Sequence, residues 1–403
     1  MKNIAIITPI YPGEDFDKNY TKVVAYFAEN WSHHNNVMVF HVFSKFPNIL
    51  YYASSLFKNT LSSIMGHPIP HNKPKNFSIE RKTASLAIVR LGVPKWFPGQ
   101  IPNRKITKLI TEKIIEQMSE NNFTPDVAIG HWLHPSSGIL SKLSDLMGIK
   151  TKLVIHIDPQ RRHKFYNSST LQFVTNKVSG IGFRSHFIQK RFIEMFPQNQ
   201  KHKFLCPSGI PDKWVDFEKT AKNFNKKHLK ILFVGTLIKR KHPSLILDAV
   251  NKCKFKTQFE ITFIGSGKEK QNILNKAQKF NLEKQVKVLG QIPRDEVLEE
   301  MNRSDILVMI SKKEAFGLVY LEAMANGLIV VGSRNEGMDG IIIHGENGFL
   351  CKAGDHNELS NILNDIHCKP FEELVMISSK ALKTSQKYRE SVVSQEYLKN
   401  ILK

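Results

Sequence analysis

No stretch of this sequence approaches the roughly 18 to 20 consecutive apolar residues that a bilayer-crossing helix needs, so no transmembrane segment is expected. The apolar run from Met1 to Thr8 stops at Pro9. That is too short for the core of a secretory leader and reads as an opening strand. Cysteine is scarce: Cys206, Cys253, Cys351 and Cys368. Their scatter fits neither metal-ligand spacing nor a disulfide framework, so a reducing, cytoplasmic setting is expected. No solenoid repeat is present. Hydrophobic residues make up 41% of 403 positions, ample for packed cores, and the length exceeds what one core usually organises. Two domains are expected.

Positive charge is what the chain has in excess. Lysine and arginine number 58 against 36 acidic residues, a net charge of +22. Residues 1–210 hold 27 basic against 12 acidic residues (+15), and residues 211–403 hold 31 against 24 (+7). Such a field favours polyanions (nucleic acid, anionic headgroups, diphosphate-bearing substrates) or simply keeps a surface soluble. No nucleic-acid recognition motif accompanies it, so no nucleic-acid partner is expected.

Strand-like apolar runs alternate with helical patterns throughout. They are expected at Asn3–Thr8, Val37–Val42, Ala87–Leu91, Val127–Gly130, Lys152–Ile157 and Gly180–Phe183, then Lys230–Val234, Phe259–Ile264, Val286–Leu289, Ile306–Ile310 and Leu328–Val331. A polar, lysine-rich stretch from Phe217 to Lys230 separates the two sets and reads as a linker. The alternation predicts an α/β protein with two doubly wound parallel sheets. Ligands of such sheets bind beyond the carboxyl ends of the strands.

Beyond one such end lies Ser311–Gly327, SKKEAFGLVYLEAMANG. Gly317 closes a loop, Leu318 to Asn326 have good helix propensity, and Gly327 supplies a stop. A helix starting near Gly317 offers unpaired N–H groups and a positive dipole end to a diphosphate. Glu314 and Glu322 could accept hydrogen bonds from sugar or ribose hydroxyls. The same residues also read as a helix cap with an ordinary glutamate.

Glu314 and Glu322, separated by seven residues in EAFGLVYLEAMANG, resemble the signature of the family 4 retaining glycosyltransferases. PDVAIGHWLHPSSG, LFVGTLIKRKH, FIGSG and VLGQIPRDEV fall in that family's order. The resemblance implies the GT-B fold, two facing Rossmann-like doubly wound domains with a cleft between them. The expected parts are 1–216 on the acceptor side, a 217–229 linker, 230–384 binding the donor, and a C-terminal helix at 385–403 packing back on the first domain.

It also implies roles. Glu314 and His156 would be catalytic, contacting donor-sugar hydroxyls and the region of the anomeric centre. Glu322 would hold the ribose, and Gly317, Leu318 and Val319 would hold the diphosphate. Lys241 and Arg240 would supply charge, and Gly235, Gly265, Gln291 and Ile292 would complete the donor site. Asp158 is a weaker candidate, and His131 reads as structural. The implied donor is a nucleotide-sugar and the acceptor a glycan or polyprenyl-linked glycan of the cell surface, such as lipopolysaccharide or capsule. No metal or other cofactor is expected. Asp15-Phe16-Asp17 matches a metal-binding D-x-D nominally and reads as a solvated loop.

Some positions depart from the family pattern. Thr236 replaces the arginine after the phosphate-loop glycine, with Arg240 as a possible substitute, and His242 replaces a glycine. The loop Tyr11–Tyr20, YPGEDFDKNY, has one glycine where two adjacent ones are usual, and Pro207–Pro211 reads PSGIP. A sugar-nucleotide epimerase and a silent binding module are the alternative readings. Two segments, Leu50–Ile64 and the basic, aromatic Phe183–Phe196, read either as core-facing stripes or as helices docking on the inner face of an anionic plasma membrane.

Overall fold

The computed structural model describes residues 1–16, 22–52, 69, 72–97, 100–156, 158–159, 168–225, 227–254 and 258–403. They form two compact units. The first holds Met1–Arg184, Ile188–Cys206 and Ser394–Lys403; the second holds Ser185–Phe187 and Pro207–Val393.

The first unit is built on an eight-stranded sheet. Its strands are β1 (Asn3–Thr8), β2 (Asn36–Lys45), β3 (Phe77–Thr83), β4 (Leu86–Pro94), β5 (Val127–His131), β6 (Lys150–Ile155), β7 (Gly180–Phe183) and β8 (His202–Leu205). Their spatial order is β3-β4-β2-β1-β5-β6-β7-β8. All neighbours are parallel except β3 with β4. The inner strands are near-continuous apolar runs because helices cover both faces of a parallel sheet. Thus Ile4 to Ile7 are fully buried, and so are Ile139, Leu140 and Leu143 of the helix Ser136–Met147, which packs on β5 and β6. The edge strand β3, FSIERKT, is charged and exposed, as an unpaired edge should be. No apolar run marks it in the sequence.

The second unit has a six-stranded, all-parallel sheet in the order β11-β10-β9-β12-β13-β14. The strands are β9 (Leu229–Val234), β10 (Phe259–Ile264), β11 (Val286–Gly290), β12 (Ile306–Val308), β13 (Ile329–Ser333) and β14 (Phe349–Cys351). The helix Leu318–Ala325 packs between β13 and the helix Phe371–Lys387. In each unit the chain winds outward from a central strand, then returns to pair on its other side. The winding therefore reverses between β1 and β5, and between β9 and β12, where doubly wound sheets open a crevice.

Several expected boundaries move. The strand expected at Lys152–Ile157 is Lys150–Ile155, which leaves His156 directly after its end. Of the run Ile306–Ile310 only Ile306–Val308 is strand, although Met309 and Ile310 are fully buried. The stretch expected as a linker is packed within the second unit: Phe224 is buried, and the Lys222 N–H donates to Ser378 Oγ at 3.0 Å. The chain divides at Cys206/Pro207 instead, and Ser394 onward groups with the first unit. There the Trp31 indole donates to the Ser394 carbonyl at 2.9 Å.

Phe183–Phe196 is not one amphipathic surface helix. Phe183 ends β7, and buried Arg184 donates to the Cys206 carbonyl at 2.6 Å. The helix is His186–Met195, and Ile188, Phe192 and the following Phe196 join the first unit's core. A core-facing stripe and a membrane-facing one have the same period, and packing decides for the core here. Of Leu50–Ile64, residues 53–64 lie outside the described residues, as does Asp17 of the D-x-D. Tyr51 packs with Phe46 and Ile69.

Candidate functional site

The reversal between β9 and β12 gathers most of the expected donor residues. Gly235 follows β9 directly, and Arg240 and Lys241 close the 3-10 turn Lys239–Lys241. Glu314 stands in the loop after β12. The Lys312 N–H donates to the Arg240 carbonyl at 2.7 Å, tying the two loops together. Lys241 Nζ and Arg240 Nη1 each lie 3.7 Å from Glu314 Oε2. That is attraction without a hydrogen bond, and Glu314 Oε2 is buried with no hydrogen-bond partner among the described residues. Burial lowers the pKa of Lys241; Glu314 opposes that shift and Arg240 adds to it. Arg240 and Lys241 thus bring two cations to the Glu314 carboxylate.

Gly317 starts the helix Leu318–Ala325 at φ +95°, and a Cβ there would stand 2.8 Å from the Tyr320 ring. Only glycine suits both conditions. Tyr320 is buried and its hydroxyl donates to the Met309 carbonyl, fixing the helix start against the end of β12. The N–H groups of Leu318 and Val319 have no intrahelical acceptor at such a start, and both residues are half-buried. A helix beginning this way favours an anion.

Glu322, one turn further on, is only 2% exposed. Its Oε1 is bonded by Arg294, while Oε2 is buried without a partner among the described residues. Burial raises its pKa, against the pull of Arg294. The Arg294 guanidinium lies 4.6 Å from the centre of the Trp214 ring, a cation–π contact that steadies it. Arg294 was not among the expected residues. It is the first residue of the helix Arg294–Arg303, where a cation opposes the helix dipole, and that misplacement is the signal a sequence reading could have used.

Glu336 is a second omission. Its carboxylate accepts the Lys313 and Glu314 N–H groups at 2.8 and 2.7 Å, so it shapes the loop that carries Glu314. Nothing in SRNEGMDG marks it. Gly265 follows β10, and a Cβ on it would sit 2.0 Å from the Gly235 carbonyl oxygen; the two strand-end loops pass backbone against backbone. Exposed Gln291 and half-buried Ile292 follow β11. Pro207–Pro211 has a structural place: Ile210 exchanges hydrogen bonds with Tyr388 and Glu390, both at 2.9 Å.

His156 belongs to the first unit, directly beyond β6. Its ring stacks on Trp132 at 4.0 Å and 14°, and its Nε2 lies 3.2 Å from His131 Nδ1. His131, fully buried at the end of β5, meets the Tyr397 hydroxyl through Nε2 at 3.1 Å. Burial, with Arg184 adding to it, takes His131 down to about 3 and His156 well below the ordinary histidine range. Both rings are neutral at physiological pH. Asp158 lies two residues further along. In the loop after β1, Arg90 holds the Pro12 carbonyl and His41 Nδ1, each at 2.9 Å, and lies over the Phe16 ring.

Residues 215–384 match the model of the family described as glycosyl transferases group 1. N-acetyl-alpha-D-glucosaminyl L-malate synthase of Bacillus anthracis is 34% identical over 170 residues, 39% of this chain and 44% of that protein. Amylovoran and capsular polysaccharide biosynthesis figure in the names of further relatives. The chain spans between about 44% and 62% of the length of these curated relatives. Sucrose-phosphate synthase from Thermosynechococcus elongatus superposes with a TM-score of 0.69 at 15% identity, over 99% of this chain and 98% of that one. Anabaena HepE in complex with UDP does so with a TM-score of 0.64 at 18% identity, over 99% of both. The fold is the GT-B fold of these glycosyltransferases, two parallel-sheet α/β units.

Proposed function

We propose that this protein is a retaining glycosyltransferase that moves a hexosyl group from a UDP- or GDP-sugar to a glycan or polyprenyl-linked acceptor in cell-surface polysaccharide assembly. One observation carries the reading. Two carboxylates on one loop-and-helix segment, Glu314 and Glu322, each keep a buried oxygen that no donor among the described residues satisfies, beside Lys241 and a helix start. Buried acceptors of this kind call for donors, and the hydroxyls of a sugar and a ribose supply them. Lys241, Arg240 and the N–H groups of Leu318 and Val319 complement a diphosphate between them.

The chemistry needs no protein nucleophile. The bond from the anomeric carbon to the diphosphate oxygen breaks and a bond to the acceptor oxygen forms on the same face. The acceptor's proton passes to the departing phosphate oxygen. Lys241 and the helix start stabilise charge developing on that leaving group, and His156 hydrogen-bonds the sugar. Because these groups supply the positive charge, activity is expected to survive EDTA. The basic first half supports peripheral binding to an anionic membrane from the cytoplasmic side. No helix among the described residues is long and apolar enough to cross a membrane.

Calorimetry and turnover with a panel of nucleotide-sugars test the proposal. Glu322→Ala should weaken nucleoside-diphosphate binding by about 1.5–3 kcal/mol, and Lys241→Ala should lower both affinity and rate. Glu314→Ala should lower turnover more than affinity. Donor consumed without any acceptor would indicate an epimerase, and binding without turnover a silent module.

A further inference from the structure

The first unit has a crevice of its own at the reversal between β1 and β5. It encloses about 400 Å³ of empty space, much of it open solvent at its mouth. Pro9 after β1, Phe43 of β2, Val93 of β4, and His134 beyond β5 are among its walls, with Lys95 and Gln100. Every one of these belongs to the first unit.

Lys95 is the feature that calls for a ligand. It is only 6% exposed, and burial alone takes its amine down to about 8. Among the described residues no carboxylate offsets that burial or pairs with it. An ammonium mostly withdrawn from water without a counter-ion is costly. The other titratable wall residue, His134, is pushed down by burial to about 4, so it is neutral and Lys95 carries the wall's charge. The remaining walls are mainly apolar. Trp96 and Phe97, the next residues after Lys95, are 67% and 59% exposed.

We infer that this pocket binds a small molecule, or the end of a larger one, through a carboxylate or phosphate group that pairs with Lys95. The apolar walls take the part of the ligand next to that group, and Trp96 and Phe97 offer aromatic surface on the adjoining loop. The inference rests on the proposed glycosyl transfer only in identifying this ligand as the acceptor.

The test follows the Lys95 amine by NMR in full-length protein labelled at lysine, its resonance identified by its loss in Lys95→Met. Titrations are run alone, with inorganic phosphate and with succinate. The Lys95 midpoint should rise by at least one unit with one of the two anions, which is at least tenfold tighter binding to the charged amine. The effective anion tells a phosphate ester from a carboxylic acid. Lys95→Arg should retain the thermal stabilisation by that anion, and Lys95→Met should lose it. A midpoint unmoved by either anion, or equal shifts at all lysines, would overturn the inference. UDP and GDP binding is measured on the same samples. Intact nucleotide binding with a silent Lys95 removes only this pocket, whereas a responsive Lys95 without nucleotide binding removes glycosyl transfer and leaves the pocket.

Discussion

His131 Nδ1 lies 3.2 Å from His156 Nε2, and the opposite nitrogen of the same ring meets the Tyr397 hydroxyl at 3.1 Å. A phenol donates more readily than it accepts, and an imidazole nitrogen is a good acceptor. With Tyr397 donating, the His131 proton sits on Nδ1 and is donated to His156, whose own proton must then be on Nδ1. Tyr397 thus acts through His131 as a positioning residue. Tyr397→Phe should cost about 1 kcal/mol of stability and lower kcat roughly tenfold, with nucleoside-diphosphate affinity unchanged. Unaltered kcat with the same loss of stability would reduce the chain of bonds to packing.

The neutral burial of these rings has a pH signature. His131 is held near 3 in the folded chain, against about 6.5 unfolded. Below about pH 6.5 the unfolded state binds a proton that the native state does not, so stability falls as pH falls. Between pH 6.5 and 5 this one group removes roughly 2 kcal/mol. Glu322, whose pKa is raised, works with the opposite sign at lower pH. Urea unfolding at pH 7.5, 6 and 5 measures the sum, and His131→Asn should flatten the upper part of the curve. An identical slope in that variant would contradict the assignment to His131.

The two sheets were legible because parallel strands covered on both faces leave long apolar runs, as IAII and ILFV do. Strands β3, β8 and β14 were not: FSIERKT and HKFL carry edge and surface chemistry that loops also carry, and FLC, though buried, is too short a run to stand out. At the site, Glu314, Gly317 and Glu322 could be found because a loop, a glycine and a helix start stand in one continuous segment. Arg294, Glu336 and Tyr397 act on residues 28, 22 and 266 positions away, and no local pattern encodes such pairings. The basic face of Phe183–Phe196 misled for a related reason. Arg184 lies in sequence beside a helix but belongs to a strand end, where it serves the Cys206 carbonyl.

Arg294 and Glu322 should be energetically coupled. Arg294→Ala leaves the Glu322 carboxylate buried without its cation, and Glu322→Gln removes the charge that Arg294 answers. Because Arg294 is 46% exposed, solvent screens part of the attraction, and a double-mutant cycle should give about 1 kcal/mol. The Arg294→Ala loss should be larger at pH 8 than at pH 5, where Glu322 can take up a proton. A coupling of zero at both pH values would mean that the pair contributes nothing to the fold.

Glu336 governs the loop through its backbone. Lys313 adopts φ +63°, a left-handed conformation that costs a non-glycine residue about 1 kcal/mol or more. The two hydrogen bonds from the Lys313 and Glu314 N–H groups to the Glu336 carboxylate hold it there. Glu336→Ala should let Lys313 relax and carry Glu314 away from Lys241 and Arg240. A displacement of about 1 Å can cost up to roughly 100-fold in rate, so kcat should drop by one to two orders of magnitude. Nucleoside-diphosphate affinity should change far less, since Glu322 and the helix start lie on the other side of Gly317. Lys313→Gly in the Glu336→Ala background supplies the test of cause, because glycine takes the left-handed conformation without strain. The double variant should recover about 1 kcal/mol of stability and part of kcat. A double variant no better than Glu336→Ala would mean that Glu336 acts on the site through its charge and not through the backbone of Lys313.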